Sequence, residues 1–383
     1  MFPCKNGFVF GIGESVPRSL HGAAPISSIH NPTRHTHCMK LALEKTFGLL
    51  ALVALTTGSA MAQADKLPVS RTAGVIDVAL PVNQTTLMAL PLVEIVASGT
   101  VNAVSGSNLT LTSTPSTLPN VISTPHAIKI TSRDDHRGAG ATAPAGSSTN
   151  AYGLSAQITA QTGQQVTAAL ATAPNVGDEF VIYRLETLDS VFGATNTAGL
   201  TGASGAANAD TVFIEAAGNF VGYYYKSSGV GGTGWRTVVG NTAAGTTVIP
   251  PNKGLMVSRK PTGSLVNIRI TGDTLPGNEV PAVAAGFNLL NNPFTVGTTL
   301  AASTIKDHVT GASGAANADA IFLENAGVLT AYYFKSSGVG GTGWRTVVGN
   351  TASDSVILAP GKSIIFQEKA GTVGFKLPEP FAE

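Results

Sequence analysis

The chain predicts an all-β protein, and three observations carry that expectation. Almost nothing after residue 63 follows a 3.6-residue apolar period; short β-branched and apolar runs recur instead, broken by Gly, Pro, Asn and Ser. Charge is sparse, at 12% of 383 residues, while glycine alone supplies 44, so hydroxyls rather than ions must keep the surface wet. Finally, KSSGVGGTGWRTVVGNTA occurs twice without a change, at 226–243 and 335–352. Together these predict an N-terminal β-barrel or sandwich-like domain followed by two related β-sandwich-like repeat modules.

In chain order, residues 1–38 are patternless and rich in Pro, His and Ser, and read as an upstream leader with translation starting at Met39. Residues 39–62, MKLALEKTFGLLALVALTTGSAMA, read as a secretory signal. Lys40 and Lys45 form its basic end, an apolar run follows that is too short to span a bilayer, and Ala60-Met61-Ala62 offers small residues for cleavage after Ala62. The expected location is therefore secreted, extracellular or periplasmic. Both cysteines, Cys4 and Cys38, precede the signal, as does the ligand-like cluster His35, His37 and Cys38. The mature chain then has no disulfide and no thiolate chemistry. From Gln63 it carries 18 basic against 20 acidic residues, a net charge of −2. That balance argues against nucleic acid and anionic membranes as partners. With aromatics at 6% and short, uneven strands, an integral membrane barrel is not expected either.

An N-terminal β domain is expected over 67–182. VSGSNLTLTS marks a hairpin turning at Ser105-Gly106-Ser107-Asn108, and residues 134–150 read as a loop of small polar residues. LETLDSVFG (185–193) predicts one short helix with Leu185, Leu188 and Phe192 on a face and Gly193 at its stop. A C-terminal domain over 183–383 holds the two modules, about 202–260 and 311–369. At an offset of 109, GASGAANAD (202–210) recurs at 311–319, TVFIEAAG matches AIFLENAG, and GYYYKSSG matches AYYFKSSG. Pro251-Asn252-Lys253-Gly254-Leu255 then matches Pro360-Gly361-Lys362-Ser363-Ile364, and upstream of Gly202 and Gly311 the similarity stops. Units of this size need a neighbour, so the two are expected to pack as one pseudo-symmetric domain.

An exported strand-rich start, then VGDEF, TLDSVFG, and two AD…YY…GWR units separated by GFNLLNNPF resembles an uncharacterised family of secreted, β-rich bacterial proteins over nearly all of 67–383. The resemblance implies an exported repeat protein and supplies no catalytic residue.

Candidate chemistry is thin. The mature chain keeps His126, His136 and His308 and has no G-x-S-x-G or H-E-x-x-H motif, so the expectation is a non-enzymatic protein without cofactor or metal. RDDHR (133–137) gathers Asp134, Asp135 and His136, but beside a Gly/Ala/Pro loop it reads as a solvated turn. Asp210 and Asp319 close the GASGAANAD loops either as calcium ligands or, the favoured alternative, as Asx-turn acceptors for loop amides. Asn288, Asn291 and Asn292 read as backbone caps. The ligand-binding candidates are Tyr224, Trp235 and Arg236 with Tyr333, Trp344 and Arg345. Each set sits on a hairpin whose glycines permit positive φ, with Trp235, Thr237 and Val239 on one face by alternation. Either the tryptophans close the core, the favoured alternative, or they form stacking platforms for sugar rings beside arginine donors. The expected role is a structural or interaction protein of the cell surface, periplasm or matrix, meeting surface polysaccharide or other envelope proteins. Carbohydrate binding by the paired Tyr/Trp/Arg hairpins is the alternative.

Overall fold

In the computed structural model, residues 73–131, 151–216, 218–369 and 375–378 are described, all within the unit Lys66–Glu383. The leader, the signal, the loop at 134–150, RDDHR and the last residues of the chain lie outside them. The described chain is almost entirely β.

The first three strands, β1 (Ala73–Leu80), β2 (Thr85–Met88) and β3 (Leu92–Val93), are followed by six that close into a barrel. These are β4 (Ile95–Ser105), β5 (Asn108–Thr114), β6 (His126–Ile130), β7 (Ser155–Thr162), β8 (Gln165–Ala168) and β9 (Glu179–Arg184), in the order β4-β5-β8-β7-β6-β9. The hairpin read at 105–108 forms as expected: Ser105 faces Asn108 across the turn, with Gly106 at φ 61°. Strands this curved need close approaches, and Gly99 supplies one. A Cβ there would lie 1.9 Å from the Thr112 carbonyl oxygen. Alternation fills the barrel with Val101, Leu109, Leu111, Ile128, Ile130, Ile158, Val166, Phe180 and Ile182. Thr112, Thr114, Gln157, Thr159 and Gln165 face outward and are exposed. That apolar-in, polar-out arrangement is the reverse of a barrel built to sit in lipid. Among the described residues, no helix is long and apolar enough to cross a membrane.

The expected helix forms as the shorter α1 (Leu188–Phe192), which leaves Leu185 outside it and in a separate apolar cluster. Thr187 and Ser190 make a reciprocal capping box, Leu188 and Phe192 are buried, and Gly193 ends it at φ 86°. Then follow β10 (Thr211–Ala216), β11 (Asn219–Lys226), β12 (Gly234–Thr237), β13 (Leu255–Ser258) and β14 (Val266–Thr274). The remainder is β15 (Gly286–Leu290), β16 (Thr298–Thr299), β17 (Ala320–Asn325), β18 (Val328–Lys335), β19 (Gly343–Thr346), β20 (Ile357–Leu358) and β21 (Ile364–Glu368). Two five-stranded sheets result, β12-β11-β10-β13-β2 and β19-β18-β17-β21-β15.

The first of these moves the domain boundary. Residues 73–93, read as part of the N-terminal domain, pair instead with the C-terminal strands: β1 and β3 flank β14, and β2 is the edge of the first sheet. The registers explain why. Leu255 faces Met88 in one sheet, and Ile364, its counterpart at offset 109, faces Leu290 in the other. Strand β2 thus occupies the place that β15 holds in the second sheet, and the barrel lies in the chain between β2 and the rest of its own sheet. The two sheets also meet reciprocally. Ser363 Oγ donates to the Met88 carbonyl, while Gly254 NH donates to the Leu289 carbonyl at 3.3 Å. Leu87, Leu289 and Ile365 form a shared apolar cluster between them. A Cβ on Gly254 would come within 2.0 Å of Ser363 Oγ, so only glycine fits at that crossing.

Candidate interaction site

Each identical segment builds a hairpin whose base is buried and whose tip is bare. In the first copy β11 pairs with β12 so that Tyr225 faces Trp235 and Tyr224 faces Arg236; in the second, Phe334 faces Trp344 and Tyr333 faces Arg345. Trp235 and Trp344 are 2% and 1% exposed, so neither offers a ring face for stacking. This corrects the platform alternative for the tryptophans and matches the core alternative. Trp235 packs on Phe192 at 5.4 Å and edge-on to Tyr225 at 5.7 Å; Trp344 packs edge-on to Phe334 at 5.7 Å. The alternation breaks down after Thr237, where β12 ends: Val239 is 89% exposed rather than sharing the tryptophan's face.

The other four candidates also bond within the hairpin itself, although Nε of each arginine is buried without a partner. Tyr224 donates its hydroxyl to Asn241 Oδ1 at 2.9 Å, and Tyr333 to Asn350 Oδ1 at 2.8 Å. Arg236 and Arg345 donate to the carbonyls of Gly231 and Gly340. Sequence reading missed the group that organises the loop, the lysine at its start. Lys226 and Lys335 are each 4% exposed and turn their ammonium groups inward onto the carbonyls of Val230 and Val339. Wrapping a loop around a buried ammonium turns carbonyls inward, which drives the chain through left-handed conformations. Gly229, Gly231, Gly232 and Gly234 all have φ between 79° and 128°, and their counterparts lie between 79° and 137°. The signal available was a lysine set two serines ahead of the same glycine-rich stretch in both copies.

What remains free is the tip. Residues 227–233 and 336–342 are exposed, with Val230 at 95% and Val339 at 96%. The two tips present the same groups: serine and threonine hydroxyls around one bare valine.

The aspartates beneath the hairpins serve the backbone. Asp210, 1% exposed, accepts from the amides of Thr201 and Lys260 at 2.6 Å each and from Arg259 Nε at 2.6 Å. Asp319 accepts from the amides of Thr310 at 2.8 Å and Lys369 at 2.9 Å. Loop amides thus take these oxygens, as the Asx alternative expects. Two further acid–lysine pairs went unread: Glu215 with Lys253, and Glu324 with Lys362 at 2.6 Å. Asn288 bonds the Ala284 amide at 2.8 Å, Asn291 the Leu90 amide at 2.8 Å, and Asn292 the Phe294 amide at 3.1 Å, so all three act as caps. His126 is 5% exposed with Nδ1 at 2.8 Å from the Thr124 carbonyl oxygen, a satisfied core histidine.

No family model, curated protein or solved structure matches the chain.

Proposed function

We propose that the mature chain is an exported, non-enzymatic interaction protein of the cell surface, periplasm or matrix, which presents one rigid tip twice to a surface polysaccharide or another envelope protein. The observation that carries this is the identical pair of bare tips, each held by a buried lysine and a Tyr–Asn bond while its tryptophan anchors the base. Nothing in packing requires Val230 or Val339 to be apolar, since both are almost wholly in water. The signal pattern at 39–62 supports export, and the resemblance to secreted β-rich proteins supports the same setting.

Two equal sites on one chain also fit avidity, which multiplies weak contacts by about 10²–10⁴ when both engage. The test is binding of the purified protein to glycan arrays and to envelope fractions, with Val230→Ser, Val339→Ser and the double variant. Each single change should weaken binding steeply and the double change should abolish it. Full retention by the double variant rules out the tips as the binding surface.

A further inference from the structure

The two tips share an electrostatic feature that the valines do not explain. Lys226 and Arg236 at the first, and Lys335 and Arg345 at the second, have no acidic partner within 4.0 Å among the described residues. Lys226 and Lys335 are each 4% exposed, yet each ammonium brings three donors to one carbonyl, that of Val230 or Val339. Nε of Arg236 and of Arg345 is buried without a partner as well. A buried cation is ordinarily matched by an anion, because its desolvation is otherwise uncompensated. Each tip therefore carries two positive charges that the fold itself leaves unmatched.

The backbone of the loop is open in the complementary sense. The carbonyls of Val230 and Gly231 are taken by the lysine and the arginine, and no amide from Ser228 to Thr233 donates to an acceptor among the described residues. The same holds from Ser337 to Thr342. Positive φ at Gly229, Gly231 and Gly232, interrupted at Val230, is the kind of backbone that gathers successive amides into an anion-binding concavity. Glycine also leaves no side chain between an approaching anion and the cations. A Cβ on Gly231 would lie 3.7 Å from Lys226 Nζ, and one on Gly340 3.7 Å from Lys335 Nζ. Asp354, at the base of the second hairpin, accepts from the Trp344 amide at 2.8 Å and pairs with neither cation.

We propose that each tip binds an oxyanion, and that the partner is an acidic polysaccharide whose repeating carboxylates or sulfates seat on both tips. This rests on the reading above that the tips are the binding surface. The free amides donate to the anion and the cations beneath them supply the field that holds it. Ser227, Ser228 and Thr233, all exposed, offer hydroxyls to the sugar around it, and Ser336, Ser337 and Thr342 repeat them. A repeating polymer presents the same group many times, so two identical tips on one chain engage it together. A single folded protein would show a different surface to each tip and give no reason for the two to be the same.

The test is binding of the purified protein to polygalacturonate beside its methyl ester, which keeps the sugars and removes the charge, and to dextran sulfate beside dextran, which separates sulfate from carboxylate. At least one acidic polymer should bind about tenfold tighter than its neutral partner, and less tightly as salt rises from about 0.05 to about 0.5 M. Ser228→Asp combined with Ser337→Asp should weaken that binding by about tenfold or more, through repulsion of the anion. The matching asparagine pair, nearly the same in shape, should keep most of it. Equal binding of acidic and neutral polymers that is lost in the Val230→Ser, Val339→Ser double variant overturns the anion and leaves the tips as the surface. Binding of an acidic polymer that survives that double variant overturns the tips as well. No binding of either acidic polymer, or equal losses in the aspartate and asparagine pairs, overturns the proposal.

Discussion

In the first sheet Trp235 donates its indole N–H to the Gly193 carbonyl at 3.0 Å, whereas in the second Trp344 Nε1 is buried without a partner. Asp210 is met by Arg259, one step beyond the Thr211–Ser258 pair; the same step beyond Ala320–Gln367 sets Glu368 opposite Asp319. Yet the hairpins above these points are the same to the letter. Both copies share the contacts that hold the tip: lysine to valine carbonyl, arginine to glycine carbonyl, tyrosine to asparagine. They also share the aspartate-to-amide bonds and the Glu–Lys pairs beneath it. The two contacts that differ here reach helix α1 and the strand after the Lys-Gly turn, so the tip is kept while part of its surroundings has diverged.

Breaking the buried ion pair gives the largest expected difference between the copies. Arg259 also donates to the carbonyls of Leu80 at 2.7 Å and Ser264 at 3.0 Å, so it ties β1's end to the first sheet. Arg259→Ala should cost roughly 3–5 kcal/mol, because Asp210 would remain buried with its counter-charge gone. In the second sheet the position equivalent to Arg259 is Glu368, which cannot form an ion pair with Asp319, so Glu368→Ala should cost a small fraction of that. Urea unfolding of the two variants checks this, and equal losses would show that Arg259 is not the anchor of its sheet.

Tryptophan substitutions sharpen the comparison. Truncation to alanine should cost about 3–5 kcal/mol in either copy, since both rings are buried. Phenylalanine separates them. Trp235→Phe loses a bond and strands the Gly193 carbonyl, whereas Trp344→Phe removes an N–H that had no partner. The first should be more destabilising than the second by about 1–3 kcal/mol. Identical losses would mean that the indole bond to Gly193 contributes nothing.

Local features were legible in the chain and long-range ones were not. The turn at Gly106 and the stop at Gly193 are specified by neighbours in sequence, and each formed as read. Strand β2 gave no such sign, because its partner β13 lies more than 160 residues away across the whole barrel and nothing local distinguishes TTLM from a barrel strand. The Lys253–Glu215 and Lys362–Glu324 pairs were within reach, since both members recur at the offset of 109. The burial of both tryptophans was anticipated, whereas the inward lysines were not: a lysine before a glycine run reads as solvated until the loop is seen to close around it.

Outside the repeats, Glu279 gives a pH test. Burial raises its carboxyl above the ordinary value of 4.5, so the folded protein holds a proton that the unfolded chain has released. Stability contributed by the neutral acid is complete below about pH 4.5 and is lost as pH rises from there through the raised value. Glu279→Gln cannot ionise, and its stability should fall less over that window. Unfolding curves across the window check the direction; parallel losses in the two proteins would place the titration elsewhere.

The smallest expected effect on stability is at the tips, and there smallness is what matters. Val230 and Val339 are 95% and 96% exposed, and the loop beneath each is held by Lys226 or Lys335 rather than by the valine side chain. Removing the apolar group by Val→Ser exposes no cavity and breaks none of those bonds, so each change should shift stability by less than about 0.5 kcal/mol. Lys226→Met and Lys335→Met should loosen the loop instead, raising amide exchange across 227–233 or 336–342 while the strands below stay protected. A tip that needs its valine for binding but not for folding, and its lysine for shape, is a surface kept for contact. If Val230→Ser destabilises the first sheet by several kcal/mol, the valine is structural, and the identity of the two loops must be explained by folding rather than by a shared partner.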